Sequence, residues 1–258
     1  MSLQPLLPKH PNSNGLPPSE APQHPEKHSG NNEIIRDTII GFADGLTVPF
    51  ALTAGLSSIG STRLVILGGL AELFSGAISM GLGAYLAAVT ESKTYEVEEA
   101  RERHEVVHMP NAEEEEIYEI FEEYKLPRET VKPVVEALKN DHDMWVKFMM
   151  DFELKLEKPA LNRAWISALV MGVSYFLGGL VPMLPYFFLS KIKDALFTSI
   201  AITVVVLLIF GYVKASATGC PRKTCLSSAI QTLVVGALAA ATSYAIVRGV
   251  DALKPGSD

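Results

Sequence analysis

Apolar residues in this chain are concentrated in five stretches, each long enough to cross a lipid bilayer. The stretches cover residues 39–59, 64–88, 164–189, 195–213 and 226–247. About 20 apolar residues in a helix, rising ~1.5 Å each, match the ~30 Å hydrocarbon core of a membrane. The pattern therefore predicts an all-α membrane protein with five transmembrane helices.

The segment between the second and third stretches is polar and acidic. Residues 91–158 contain 20 of the 29 acidic and 10 of the 22 basic residues. Neither proline nor glycine occurs in residues 84–109, so we expect the second span to continue as one helix of about 45 residues that ends at Pro110. Asn111 is a good N-cap for a helix over 112–125, and two further helices are expected over 127–140 and 141–158.

These patterns divide the chain into five parts. The predicted parts are a disordered N-terminal tail (1–32), two transmembrane helices (33–90), an acidic helical domain (91–158), three transmembrane helices (159–250) and a short C-terminal tail (251–258). The tail 1–32 is assigned because it contains seven prolines and no apolar run. Its three histidines are spaced irregularly, which is typical of solvated side chains.

The distribution of basic residues predicts the orientation. If the N-terminus is cytosolic, the cytosolic segments carry 17 of the 22 lysines and arginines, as the positive-inside rule requires. The acidic domain would then be cytosolic and the C-terminus would lie across the membrane. An acidic surface attracts cations and disfavours nucleic acid as a partner.

Two acids, Asp44 and Glu72, are the only charged residues in the five stretches. Acids at membrane depth are costly and are retained where they meet a cation or a proton. Gly76 and Met80 follow Glu72 at helical spacing, and Met80 is predicted to lie at the depth of Asp44. A carboxylate with a thioether favours a borderline transition metal. Close helix packing and a hydrogen bond between helices remain the alternative explanations.

In the acidic segment, carboxylates and thioethers recur at helical spacing and would form a metal cage if three helix faces meet. An N-capped helix followed by an ordinary apolar stripe explains the same residues equally well. Glu105 and His108 form only half of a di-iron motif, and no second half occurs. Cys220 and Cys225 are interpreted as reduced structural residues. We therefore predict that the chain is not an enzyme and needs no cofactor.

Two motifs resemble one known family. DTIIGFADGLTVPF (residues 37–50) and AELFSGAISMGLGAYLA (residues 71–87) are similar to the vacuolar iron transporters of plants and fungi, and the acidic insert is similar to that of the iron-loading branch. The resemblance implies a five-helix homodimer in the lipid of the vacuolar membrane that exchanges cytosolic Fe²⁺ for lumenal protons. Mn²⁺, Zn²⁺ and Co²⁺ are the further ions expected at the cytosolic domain.

The resemblance also implies residue roles. Asp44, Glu72 and Met80 would line the translocation path between the two first helices of the dimer. The cytosolic domain would bind metal through Glu102, Glu105, Glu113, Glu116, Met149, Met150 and Glu153. Glu33 and Asp37 would attract ions at the mouth, and Glu98, Glu99 or Glu115 are substitutes in the ligand set. Two rival functions remain, a membrane-anchored metal sensor or buffer and an uncoupled Fe²⁺ or Mn²⁺ channel.

Overall fold

The computed structural model describes residues 32–160 and 162–253, and these residues form helices joined by turns, with no strand among them. The helices are α1 (Asn32–Ser57), α2 (Thr62–His108), α3 (Pro110–Glu123), α4 (Arg128–Lys139), α5 (His142–Phe148), α6 (Arg163–Phe188), α7 (Ile192–Ala217) and α8 (Arg222–Leu253). A π-helical turn, Met149–Glu153, follows α5. The predicted N-terminal tail, except Asn32, and residues 254–258 lie outside the described residues.

Five of these helices, α1, α2, α6, α7 and α8, are long and apolar enough to cross a membrane. This confirms the all-helical class and the five predicted spans. Helix α2 is continuous over 47 residues, and its part beyond Gly83 runs without a break, as the absence of proline and glycine in residues 84–109 predicts. The observed helices extend beyond the predicted spans because a charge-free window marks the hydrocarbon core and not the ends of the helix.

Helices α1 and α6 run in the same direction and lie very close together. A Cβ atom on Gly41 would overlap the backbone oxygen of Met171, and one on Gly45 would overlap the backbone of Tyr175. Glycine is therefore required at both positions because the two backbones touch. Small residues allow this close packing between helices in lipid, where no hydrophobic force drives them together.

Helix α2 packs on α6 in the opposite direction. A Cβ atom on Gly81 would lie 2.9 Å from the Ala168 oxygen, and one on Gly172 would lie 2.9 Å from the Ala77 oxygen. Helix α6 therefore contacts both α1 and α2, which carry the two acids of the spans.

Helices α7 and α8 form an antiparallel pair that completes the bundle. Gly211 of α7 faces Ala229 of α8, and Gly236 of α8 faces Leu207 of α7. Helix α8 also packs against α1. Cys220 and Cys225, near the α7–α8 connection, are free thiols.

The segment between α2 and α6 has a hydrophobic core of its own. Helices α3 and α5 and the π turn pack on the distal end of α2, and α4 packs on α3 and α5. The buried core residues are Val106, Ile117, Val131, Val135, Trp145, Val146, Met149 and Met150. We call this segment the helical insert; its position on the cytosolic side of the membrane stays a prediction.

Two boundaries in the helical insert differ from prediction. Helix α3 begins at Pro110 with Met109 as its N-cap, so Asn111 lies within the first turn and is not the cap. Proline is favoured at the first helical position because its fixed φ suits a helix start. The last helix, predicted to reach residue 158, ends with the π turn at Glu153, and Lys155 has a left-handed φ of 54° that is incompatible with a continuing helix.

Candidate metal site and translocation path

Five carboxylates meet where α2, α3 and the π turn converge. Ligand oxygens of Glu102, Glu105 and Glu113 lie within 4.8 Å of one another, and so do those of Glu113, Glu116 and Glu153. Glu113 belongs to both groups, so the five residues form one continuous set, here called the acidic cluster. The structure thus brings together all five glutamates that the sequence assigns to the metal site.

The two methionines of the predicted ligand set are buried next to the acidic cluster. Met149 and Met150 are 0% and 1% exposed and belong to the core of the helical insert. Together with Glu153 they occupy the π turn, whose wider turn rotates these residues relative to a regular α-helix. Single π turns of this kind occur frequently at functional sites.

The acidic cluster is buried and incompletely hydrogen-bonded. Glu102 and Glu113 are 3% and 2% exposed. The Oε2 atoms of Glu102, Glu113 and Glu153 are buried and accept no hydrogen bond from the described residues. Buried acceptors without partners are rare and costly, so these oxygens fit a bound cation.

The electrostatics of the acidic cluster favour a cation as well. Burial and then the neighbouring carboxylates, Glu116 first, raise the pKa of Glu113 to about 8 and that of Glu153 to about 7. Burial, followed by the charge of Glu105, also raises the pKa of Glu102. A bound divalent cation reverses this effect because it stabilises the ionised carboxylates.

The three substitute ligands are engaged elsewhere. Arginines of α2 and α4 form the ion pairs Arg101–Glu98, Arg103–Glu99 and Arg128–Glu115. None of these three acids belongs to the acidic cluster. Arg101 also donates to Glu105 at 3.1 Å, so this arginine lies at the edge of the cluster and competes with a cation for one of its carboxylates.

The predicted path residues lie on α1 and α2. Asp44 is exposed on α1, on the same face as Ile40 and Val48, one turn away on either side. Glu72 and Met80 of α2 are half-buried. One oxygen of Glu72 accepts a hydrogen bond from the Tyr175 hydroxyl, and the other is buried without a hydrogen-bond partner among the described residues.

The depths of the path residues differ from the sequence prediction. Gly45, next to Asp44, faces the Tyr175 backbone, and Gly76 faces the Tyr175 ring. Met80 is next to Gly81, which faces Ala168, about two turns nearer the start of α6 than Tyr175. Asp44 therefore lies between Met80 and Glu72, whereas the sequence predicts a similar depth for Asp44 and Met80, with Glu72 beyond both. The prediction counted depth from the ends of charge-free windows, and α1 begins well before its window.

The acids predicted at the mouth are paired with arginines. Arg163 of α6 lies 2.6 Å from Glu33 of α1 and 3.0 Å from Glu91 of α2. Asp37 is 2% exposed and pairs with Arg36 at 3.2 Å. Of these charged residues, all except Glu33 line one cavity of about 310 Å³. The predicted mouth is therefore an ion-paired junction of α1, α2 and α6.

Sequence reasoning missed Tyr175 and the bridging role of Arg163. A signal for Tyr175 was available, because a tyrosine hydroxyl in an otherwise apolar span needs a hydrogen-bond partner. For Arg163 the sequence showed only a cation near the end of a span. Its two carboxylate partners depend on how α1, α2 and α6 come together.

Comparison with known proteins identifies the family. A model described as the VIT family matches residues 35–248. The chain belongs to the VIT family. It is 48% identical over 228 residues to Vacuolar iron transporter 1 of Oryza sativa subsp. japonica, covering 88% of this chain and 89% of that protein. It is 46% identical over 232 residues to Vacuolar iron transporter 1 of Tulipa gesneriana, covering 90% and 93%.

A fungal relative, Protein CCC1 of Saccharomyces cerevisiae, is 43% identical over 220 residues, covering 83% of this chain and 68% of that protein. The resemblance predicted from the two motifs is therefore confirmed. The rice and tulip relatives are named as transporters, which confirms the prediction that this VIT chain is not an enzyme.

Proposed function

We propose that this VIT chain transports ferrous iron from the cytosol into the vacuole in exchange for protons. The observation that carries the proposal is Glu72, an acid in a transmembrane helix with one buried oxygen that lacks a hydrogen-bond partner. Such an acid is stable where a cation or a proton reaches it. The names of the rice and tulip relatives supply the metal and the compartment.

Capture is assigned to the acidic cluster. Its five carboxylates supply oxygen ligands, and the adjoining Met149 and Met150 are available as softer ligands. Ferrous iron accepts both kinds of ligand, whereas Mg²⁺ and Ca²⁺ prefer oxygen alone. Zn²⁺, Mn²⁺ and Co²⁺ are expected to bind the same cluster for the same reason.

Translocation is assigned to Met80 and Glu72 of α2 and to Asp44 of α1. From the cytosolic side inwards, the proposed order is Met80, Asp44, Glu72. Asp44, Ile40 and Val48 form an exposed stripe on α1, and an exposed acid in lipid is unfavourable. We propose that the stripe faces its counterpart in a second copy of the chain. The homodimer then encloses the path between the two α1 helices and removes Asp44 from contact with lipid.

Exchange with protons follows from the carboxylates of the path. In a medium of low dielectric constant, a carboxylate is stable with a proton or with a metal ion and unstable when charged and alone. Protons and metal therefore exclude each other at Asp44 and Glu72. Protons from an acidic lumen would displace the metal from these two carboxylates. The protonated carboxylates would then release their protons to the cytosol.

The test uses the purified protein in sealed vesicles loaded with acidic buffer. We expect uptake of Fe²⁺ that depends on the pH gradient and is accompanied by proton efflux. Binding of Fe²⁺ without gradient-dependent uptake would instead identify a membrane-anchored sensor or buffer. Uptake that is unaffected by collapse of the pH gradient would identify an uncoupled channel.

A further inference from the structure

Tyr175 of α6 lies between the two acids of the path. Its side chain is 3% exposed, and its hydroxyl donates a hydrogen bond to Oε1 of Glu72 on α2. Its backbone contacts Gly45, the neighbour of Asp44 on α1. A single residue therefore contacts both helices of the path.

Packing holds the Tyr175 ring in place independently of this hydrogen bond. A Cβ atom on Gly76 of α2 would lie only 2.5 Å from the ring atom Cε1 of Tyr175. The glycine is needed because the ring fills the space that a side chain would occupy. The hydroxyl is therefore directed at Glu72 by the surrounding helices, and Glu72 does not lose this partner through a simple rotation of the ring.

The hydrogen bond leaves Glu72 with one oxygen for a ligand. Oε1 is engaged by the Tyr175 hydroxyl, while Oε2 is buried and has no hydrogen-bond partner among the described residues. A cation that enters this position meets a carboxylate that offers a single oxygen. Chelation by both oxygens would require the cation to displace the tyrosine.

The number of oxygens offered distinguishes between divalent cations. Calcium takes about six to eight oxygen ligands and commonly uses both oxygens of a carboxylate, at ~2.3–2.6 Å. Smaller divalent transition metals bind fewer ligands and accept one oxygen from each carboxylate. A carboxylate restricted to one oxygen thus penalises calcium more than iron.

We propose that Tyr175 is a specificity-determining residue that restricts Glu72 to coordination through one oxygen and so excludes calcium from the path. This inference rests on the proposed transport function. It assigns Tyr175 a positioning role, because the residue acts on the metal through Glu72.

The test compares Tyr175→Phe with Tyr186→Phe in reconstituted vesicles. Tyr186 is a matched control because it lies on the same helix, is 2% exposed and bonds to Ser57 at 2.8 Å, away from both acids. We expect calcium to inhibit Fe²⁺ uptake by Tyr175→Phe at about tenfold lower concentration than in the wild type, since a hydrogen bond to a charged group is lost. Both KM for Fe²⁺ and the maximal rate should fall, because the metal is held more tightly and released more slowly.

Tyr186→Phe should retain the calcium inhibition, KM and maximal rate of the wild type. The inference is overturned if folded Tyr175→Phe, verified by size-exclusion chromatography, keeps the wild-type values of all three. If Tyr186→Phe becomes sensitive to calcium to the same degree, the effect belongs to α6 packing and the inference is also overturned.

A second measurement needs no Tyr175 variant. It uses the infrared difference spectrum between the Mn²⁺-loaded and the metal-free wild type. Subtracting the same difference spectrum of Glu72→Gln isolates the carboxylate stretching bands of Glu72. A wide splitting between the two stretches, typical of one-oxygen coordination, is expected; a narrow, two-oxygen splitting overturns the inference. If wild-type vesicles transport no iron, the proposed function fails, yet this spectrum still tests how Glu72 binds a metal.

Discussion

At the scale of single residues, Glu113 has the least favourable environment in the acidic cluster. It is buried, belongs to both carboxylate groups, and one of its oxygens has no hydrogen-bond partner among the described residues. Desolvation and like charge both disfavour its ionised form. The metal-free cluster is therefore destabilising, and a bound cation offsets that cost.

This environment predicts opposite effects of Glu113→Gln on binding and on stability. The amide keeps the shape of the side chain but cannot carry the negative charge that binds the metal. Changes around a metal site typically lower metal affinity about 10- to 100-fold, and we expect a loss of at least this size. The thermal unfolding midpoint of the metal-free protein should rise, because the fold no longer has to bury a carboxyl group that is ionised in the unfolded chain. Titration calorimetry and thermal melting of the purified protein measure the two effects.

Glu119→Gln is the control for this variant. Glu119 is exposed on the same helix and lies outside the acidic cluster, so its replacement should change neither affinity nor midpoint. Equal effects of the two variants would show that general surface charge, and not the acidic cluster, attracts the metal.

The raised pKa values predict how pH acts on the acidic cluster. Since the pKa of Glu113 is about 8 in the folded protein, the metal-free fold binds more protons there than the unfolded chain does. Its free energy of unfolding should therefore fall as pH rises from about 5 to about 8. Metal affinity should rise over the same interval because fewer protons compete.

Thermal melts with and without Mn²⁺ across this pH interval check both trends. In Glu113→Gln the slope of the metal-free midpoint against pH should be smaller. A midpoint of the wild type that increases with pH in the absence of metal would contradict the assignment.

For the path, we predict that Asp44→Ala abolishes metal-driven proton flux in liposomes while metal binding by the acidic cluster is retained. The acid is the only charged group on the exposed stripe of α1 between Arg36 and the end of the helix. Asp194→Ala, an exposed acid in the first turn of α7, serves as the control and should transport normally. Full exchange by Asp44→Ala would refute the path.

At the scale of helices, the packing of α1 on α6 depends on glycine. Gly45→Ala should lower the thermal midpoint, since its methyl group would overlap the Tyr175 backbone. Overpacking of this kind costs about 1–3 kcal/mol. Gly83→Ala on α2 is the matched control, because its added methyl group would meet no other helix within 4 Å, and helix propensity favours alanine.

A melt of each variant in the same detergent measures this difference. Equal thermal midpoints for Gly45→Ala and the wild type would mean that α1 and α6 can move apart to accommodate the methyl group at no cost in stability.

The helices themselves follow largely from the sequence. Apolar runs set the five spans, and the absence of proline and glycine in residues 84–109 lets α2 extend beyond its span, because both depend on local chain properties. The set of five glutamates required the family resemblance, since their spacing alone also fits ordinary acidic helices. The structure adds that their oxygens converge.

Other features depend on contacts between distant segments. The π turn at Met149 has no local signal, and it forms within the core shared with Ile117 and Trp145. The pairing of Tyr175 with Glu72 joins residues 103 positions apart. Span windows gave Met80 the wrong depth relative to Asp44 because the relative heights of helices are set by packing between them.

At the scale of the whole molecule, the proposed homodimer places the exposed stripes of two α1 helices against each other. In a Cys220→Ser, Cys225→Ser background, we predict that Val48→Cys forms a crosslinked dimer on mild oxidation, because Val48 lies one turn from Asp44 on this stripe. Leu238→Cys, at a position on α8 that is more exposed than Val48, should remain monomeric on a denaturing gel. Crosslinking at Leu238 and not at Val48 would place the interface, and the path, elsewhere.

Helix α2 carries both Glu72 and Glu102, thirty residues apart, which corresponds to about 45 Å along a single rigid rod. No ion can pass directly from one carboxylate to the other over such a distance. In the proposed transporter, metal gathered at the far end would have to return to water and diffuse before it enters the membrane. The acidic cluster would then serve as a reservoir that keeps the local concentration of metal high near the proposed path, and its benefit should be greatest when free iron is scarce.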